Sequence, residues 1–105
     1  MKSAVFRIRK RYFDLIVEGH KTVEYRKDSP FWRKRFHFNP EWPILYDYPE
    51  VAVFICGRRV HRRRITDVQH VKTPTSFSEQ GNKDVPTPCC FAIHLGGVFR
   101  GSAEK

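Results

Sequence analysis

The chemistry-bearing residues of this chain concentrate in one short run, Gly19-His20-Lys21-Thr22-Val23-Glu24-Tyr25-Arg26. A lysine held near a carboxylate in a low-dielectric cleft can activate a nucleophile or pass a proton. An arginine two residues on can hold a phosphate or carboxylate by two parallel contacts, or pair with Glu24 to brace a cleft wall. The spacing imposes a condition. On an unbroken strand Thr22, Glu24 and Arg26 share one face, with Val23 and Tyr25 on the other. Lys21 and Glu24 then converge only if Lys21 still belongs to the turn after Gly19. Otherwise Lys21 is a solvated cation and Glu24–Arg26 a structural pair.

A second concentration is cationic. Five arginines fall in the seven residues Arg58-Arg59-Val60-His61-Arg62-Arg63-Arg64. On a strand, Arg59, His61 and Arg63 share one side and Arg58, Val60, Arg62 and Arg64 the other. Charge on both sides predicts an edge strand or protruding hairpin, a surface that can track a phosphate backbone or simply confer solubility. A third group, Phe31-Trp32-Arg33-Lys34-Arg35, sets rings beside cations, as a stacked, unpaired base requires. Helical spacing places Phe31 and Phe36 in the core and leaves Trp32 either in the core or lining a cleft.

The elements that must position these groups are short. Ala4 to Arg9 alternates as a half-buried strand, with Ala4, Phe6 and Ile8 inward. Arg11 to Glu18 carries helical spacing without an obvious N-cap, and Gly19 is placed as a left-handed helix stop. Lys21 to Arg26 reads as a strand. Ser29 and Pro30 read as the cap and first position of a one- or two-turn helix. Asn39-Pro40 and Trp42-Pro43 break regular structure, and Ile44 to Tyr48 is a short edge strand or ordered loop. Val51 to Ile55 is an apolar run of strand length, expected to be central and buried on both faces, and Gly57 ends it. Residues 72–88 read as a loop with room for one helical turn. Cys90 to Leu95 alternates as a closing strand, and residues 101–105 as a frayed tail.

Composition bounds the rest. With 105 residues and 40% hydrophobic content, one domain over residues 1–100 with one modest core is expected. Strands dominate and helices decorate, which predicts an α+β chain built as a small, partly open or closed β-barrel. The charge of +9, from 20 Lys and Arg against 11 Asp and Glu, predicts attraction to polyanions. Nucleic acid is the commonest, with acidic membrane surfaces the main competitor. No run approaches the ~20 apolar residues of a membrane span, and the charged N-terminus is unlike a signal peptide, so a cytoplasmic location is expected. Cys56, Cys89 and Cys90 are odd in number and read as reduced thiols. Cys56, His61, His70, Cys89, Cys90 and His94 lack metal-ligand spacing, so neither metal nor cofactor is expected. A monomer is expected.

The run from Ile8 to Arg26 resembles the opening of ASCH-domain proteins, marked by Gly-x-Lys-x-x-Glu-x-Arg after a short helix; here these are Gly19, Lys21, Glu24 and Arg26. Pro30-Phe31-Trp32 and Lys34-Arg35 resemble the continuation in small bacterial or phage-type members. The resemblance implies a PUA-like mixed β-barrel with two or three flanking helices and a cleft for RNA, single-stranded or structured, or for a nucleotide-derived ligand. It implies RNA contacts from Lys21 and Arg26, to which the basic and aromatic groups add Lys10, Trp32, Arg33, Lys34, Arg58, Arg59, Arg62, Arg63 and Arg64. Some members are ribonucleases, and another branch is similar to amidohydrolases acting on N4-acetylcytidine. An enzyme reading would give Lys21 and Glu24 acid–base roles and place Tyr12 at the cleft border. The amidohydrolase branch has Thr where this chain has Glu24, so Lys21 carries over and the Thr does not; Asp67 is the nearest candidate for its further acidic residue. A module that binds an acidic protein is the remaining alternative.

Overall fold

The computed structural model describes residues 2–42, 45, 47–77 and 87–100. Its elements, in chain order, are β1 (Ser3–Arg7), α1 (Lys10–Val17), β2 (Val23–Lys27), α2 (Pro30–Arg35), β3 (Val51–Cys56), β4 (Arg59–Lys72) and β5 (Cys89–Val98). The five strands form one curled, half-barrel sheet in the order β1-β3-β4-β5-β2. Only β1 and β3 run parallel; the other neighbours are antiparallel. This is the β-dominated α+β class expected, with two short helices.

Local sequence explains most boundaries. β1 alternates, with Ala4 and Phe6 buried and Ser3, Val5 and Arg7 exposed. Arg9, at the N-cap of α1, gives no side-chain cap. Gly19 adopts φ +83°, a left-handed conformation that costs glycine little. Ser29 accepts a hydrogen bond from the Trp32 N–H at 3.3 Å, and Pro30 opens α2. β4 is bent where its pairing with β5 slips between Arg63, Ile65 and Asp67. There Gly96 lies so close that a Cβ on it would sit 2.7 Å from the Thr66 methyl.

The core gathers Phe6, Ala52, Phe54, Ile65, Val68, Phe91, Ile93 and Leu95 of the sheet under Phe13 and Ile16 of α1 and Phe36 beyond α2. A column of rings runs through it. Phe54 stacks on Phe6 at 5.3 Å, Phe6 on Trp32 at 5.0 Å, and Trp32 on Phe36 at 5.4 Å.

Three expectations are corrected. The arginine-rich strand is not an edge: β4 is the middle strand of five. It tolerates charge there because β5 meets it only from Arg63 onward, so Arg59 to His61 pair with β3 alone as a projecting hairpin. Phe31 is not in the core but 55% exposed, because α2 is only six residues long and turns Trp32 and Phe36 inward instead. Val51 to Ile55 is not buried on both faces throughout: Val53 and Ile55 are half-buried. Of the expected segment Ile44 to Tyr48, Leu45 and Tyr48 pack against the core outside any strand, and residues 43, 44 and 46 lie outside the described residues. So do residues 78–86 of the loop and the expected tail, 101–105.

Candidate functional site

The condition set by the spacing of Lys21 and Glu24 is met. The N–H groups of His20 and Lys21 both donate to the Leu15 carbonyl, at 2.9 and 3.0 Å. Lys21 therefore belongs to the turn that closes α1, and β2 starts at Val23. From there its ammonium reaches 3.2 Å from Glu24 Oε1 and donates to the Val23 carbonyl at 2.9 Å. Arg26 grips Glu24 Oε2 through Nε at 2.8 Å and Nη2 at 2.7 Å. The guanidinium also lies 5.1 Å above the Phe6 ring and 5.5 Å from that of Trp32. Lys21 and Glu24 are only 8% and 3% exposed. Two cations thus share one carboxylate, and the buried cluster keeps a net positive charge. Lys21 is not aligned to hydrogen-bond Glu24, so Oε1 has no donor among the described residues.

Of this cluster Lys21 alone lines a groove of about 360 Å³, together with Tyr12 and Leu15 of α1, His20 and Thr22 of the turn, and Val23 and Tyr25 of β2. Arg11 lies over the Tyr12 ring at 5.8 Å, which puts a cation at the lip. Tyr12, which the family resemblance sets at the border of a cleft, is one of the residues lining this groove. Leu15, Val23 and Tyr25 were not singled out, although the strand parity that puts Val23 and Tyr25 on one face carried that signal.

The arginine run divides by strand parity. Arg59 and Arg63 take the side that faces α1, where Arg63 is half-buried and Arg59 still exposed. Arg59 pairs with Asp14 at 2.9 Å and covers the Phe13 ring at 4.4 Å. Arg63 donates to the Gly96 carbonyl at 2.6 Å and to the Ile16 carbonyl at 2.9 Å. Arg58, Arg62 and Arg64 remain exposed. Lys10 is exposed and pairs with Asp14 at 2.8 Å. Trp32 is half-buried within the ring column, and Lys34 is exposed. Asp67 stands opposite His94 on β5, which in turn faces Val23.

Arg33 serves a cluster that the sequence reading did not find. It clasps Asp28 with two contacts, at 2.5 and 2.9 Å, and His70 Nε2 lies 2.9 Å from the same carboxylate. The His70 ring stacks on Phe38 at 4.3 Å. Arg33 first, and His70 after it, hold the Asp28 carboxyl below its usual value against the opposing effect of burial. The pairing of Asp28 with His70 spans 42 positions, so no local pattern could disclose it.

His61 lies between Arg59 and Arg63 on the same side of β4. It faces Phe13 at 6.3 Å, and its Nε2 is buried without a hydrogen-bond partner. Burial, and secondarily the Arg63 cation, push the imidazole below its ordinary 6.5. The folded state therefore favours neutral His61. As pH falls through 6.5 the unfolded chain takes up the proton first, so this contribution is present above 6.5 and is lost down to the folded pKa. Urea midpoints taken at pH 7.5 and 5.5 should fall for the native protein and fall less for His61→Phe; equal falls would remove His61 as the cause.

The three cysteines are free thiols, and burial raises that of Cys90. Among the described residues no cluster of three metal-ligating side chains occurs, and no helix is long and apolar enough to cross a membrane. The sequence model of the ASCH domain matches residues 6–92, a span that contains the groove and the Lys21–Glu24–Arg26 cluster. That PUA-like family is often linked to RNA binding. Comparison with curated proteins and with solved structures gave no significant match.

Proposed function

Because the chain belongs to the ASCH-domain family, we propose that it binds RNA, taking an unpaired nucleotide into the groove beside Lys21. The observation that carries this reading is Lys21, which lines the groove between Tyr12 and Tyr25 and shares the Glu24 carboxylate with Arg26 behind it. The residual positive charge of the cluster is complementary to a phosphate or a base carbonyl. Lys21 retains an N–H beyond its contacts to Val23 and Glu24, and tyrosine rings offer faces for a base. Lys10 and Arg11 are exposed cations on α1 that would meet the backbone.

The test is the salt dependence of binding to labelled oligouridine. Three to five phosphate contacts give a slope of about −2 to −3.5, or roughly 20- to 100-fold weaker binding between about 50 and 200 mM salt. Affinity that ignores salt would contradict the reading.

One observation favours a second reading as an enzyme on RNA or a modified nucleoside. Among the described residues Glu24 Oε1 lacks a hydrogen-bond donor while the Lys21 ammonium sits 3.2 Å away, a pair able to exchange a proton. Labelled RNA and N4-acetylcytidine are the substrates to try; turnover that survives Lys21→Met would sink this assignment.

A further inference from the structure

The sheet has an apolar face turned away from the core at its β1–β3–β4 end. Register places Val5, Val53 and Arg62 in one cross-strand row and Arg7, Ile55 and Val60 in the next. Ser3, Val51 and Arg64 form a third, in which Val51 is buried, so the open apolar part of the face is the first two rows. The alternate positions, Ala4, Phe6, Ala52 and Phe54, point into the core, so these rows point the other way. Val5 and Val60 are 48% and 46% exposed. Val53 and Ile55 are half-buried, and none of the four belongs to the core cluster. Among the described residues, Arg7, Arg62 and Arg64 form no ion pair with a carboxylate. Arg64 instead lies over Phe99 at 5.0 Å.

Single exposed aliphatics are ordinary. Two exposed valines adjoining two half-buried aliphatics, edged by guanidinium groups with no carboxylate partner among the described residues, have the make-up of an interface, an aliphatic centre with an arginine rim. A sheet face of this kind is buried by another layer of secondary structure. The rows themselves contain no aromatic ring, and the one beside them, Phe99, is covered by Arg64, so they lack the open platform on which unpaired bases stack. The free charge is positive at three positions.

We propose that this face docks a partner protein through an amphipathic helix whose aliphatic stripe covers Val5, Val53, Ile55 and Val60 and whose flanking carboxylates meet Arg7, Arg62 and Arg64. The surface shares no residue with the RNA groove, and the two readings stand or fall separately.

A random library of helix-forming peptides, selected on the immobilised full-length chain, tests it. The enriched peptides should carry Leu, Ile or Val at i, i+3 or i+4, and i+7, flanked by Asp or Glu. For a synthetic peptide from that pool, Arg62→Glu with Arg64→Glu should weaken binding at least about tenfold, and Val60→Glu should weaken it similarly. Oligouridine binding by Val60→Glu should change less than about twofold. All three positions are exposed, and unchanged circular dichroism and melting establish that the variants remain folded. A pool without acidic bias would overturn the proposal, as would peptide binding indifferent to charge reversal. Loss of oligouridine binding in Val60→Glu would overturn it too, by giving the face to RNA.

Discussion

Replacing Glu24 with alanine is expected to destabilise the fold by about 3–5 kcal/mol, the usual consequence of removing one partner from a buried ion pair. The carboxylate stands between the Lys21 ammonium at 3.2 Å and the Arg26 guanidinium at 2.7 Å. All three groups are largely shielded from water, and without Glu24 two like charges face each other there. Arg26 cannot swing away without giving up its contacts with Phe6 and Trp32. Against a typical total stability of about 5–15 kcal/mol, much of the folded population is at stake. Urea denaturation checks it, and a loss below about 1 kcal/mol would show the cluster to be far better hydrated than its burial implies. Glu24→Gln keeps an acceptor for Arg26 but no charge, and should fall between alanine and the native protein.

Lys21→Met is expected to separate binding from folding. Methionine preserves the apolar stem, and Glu24 keeps both contacts from Arg26. The stability loss should therefore stay well below that of Glu24→Ala. What disappears is the donor that opens into the groove. A hydrogen bond from a charged donor contributes about 1.5–3 kcal/mol, so oligouridine affinity should fall roughly 10- to 100-fold. Anisotropy titration at low salt measures it, with a melting curve to establish that the variant is folded. Unchanged affinity would move the RNA away from this groove.

Both expectations rest on a turn that the sequence partly disclosed. Gly19 marks the end of α1 because a left-handed residue after an amphipathic run has few other uses. The Ser29-Pro30 start of α2 was legible for a similar reason: cap and proline act within one turn. The parity of Ala4 and Phe6 was legible because period-two burial needs only one covered face. The arginine run was harder. Its parity was read correctly, but the position of β4 in the sheet depends on β5, which arrives some 30 residues later in the chain. The same parity put Arg59 and Arg63 on one side without revealing that the side lay beneath α1. Phe31 misled because a hydrophobic ring beside Trp32 matches a core pattern, whereas a six-residue helix buries only one narrow stripe. The Asp28–His70 contact joins segments with no shared periodicity. The family motif located the cluster, and only the fold shows how Lys21 and Glu24 converge.

Arg63 links parts of the molecule that bear on how tightly the groove can bind. One side chain ties the last turn of α1, at the Ile16 carbonyl, to β5 at Gly96, while the Leu15 carbonyl holds the backbone of His20 and Lys21. The floor of the groove is thereby fixed before any ligand arrives. A nucleotide entering it has little chain to immobilise, so less of its interaction energy is offset by lost conformational entropy. An inward-facing arginine would thus act on affinity through preorganisation.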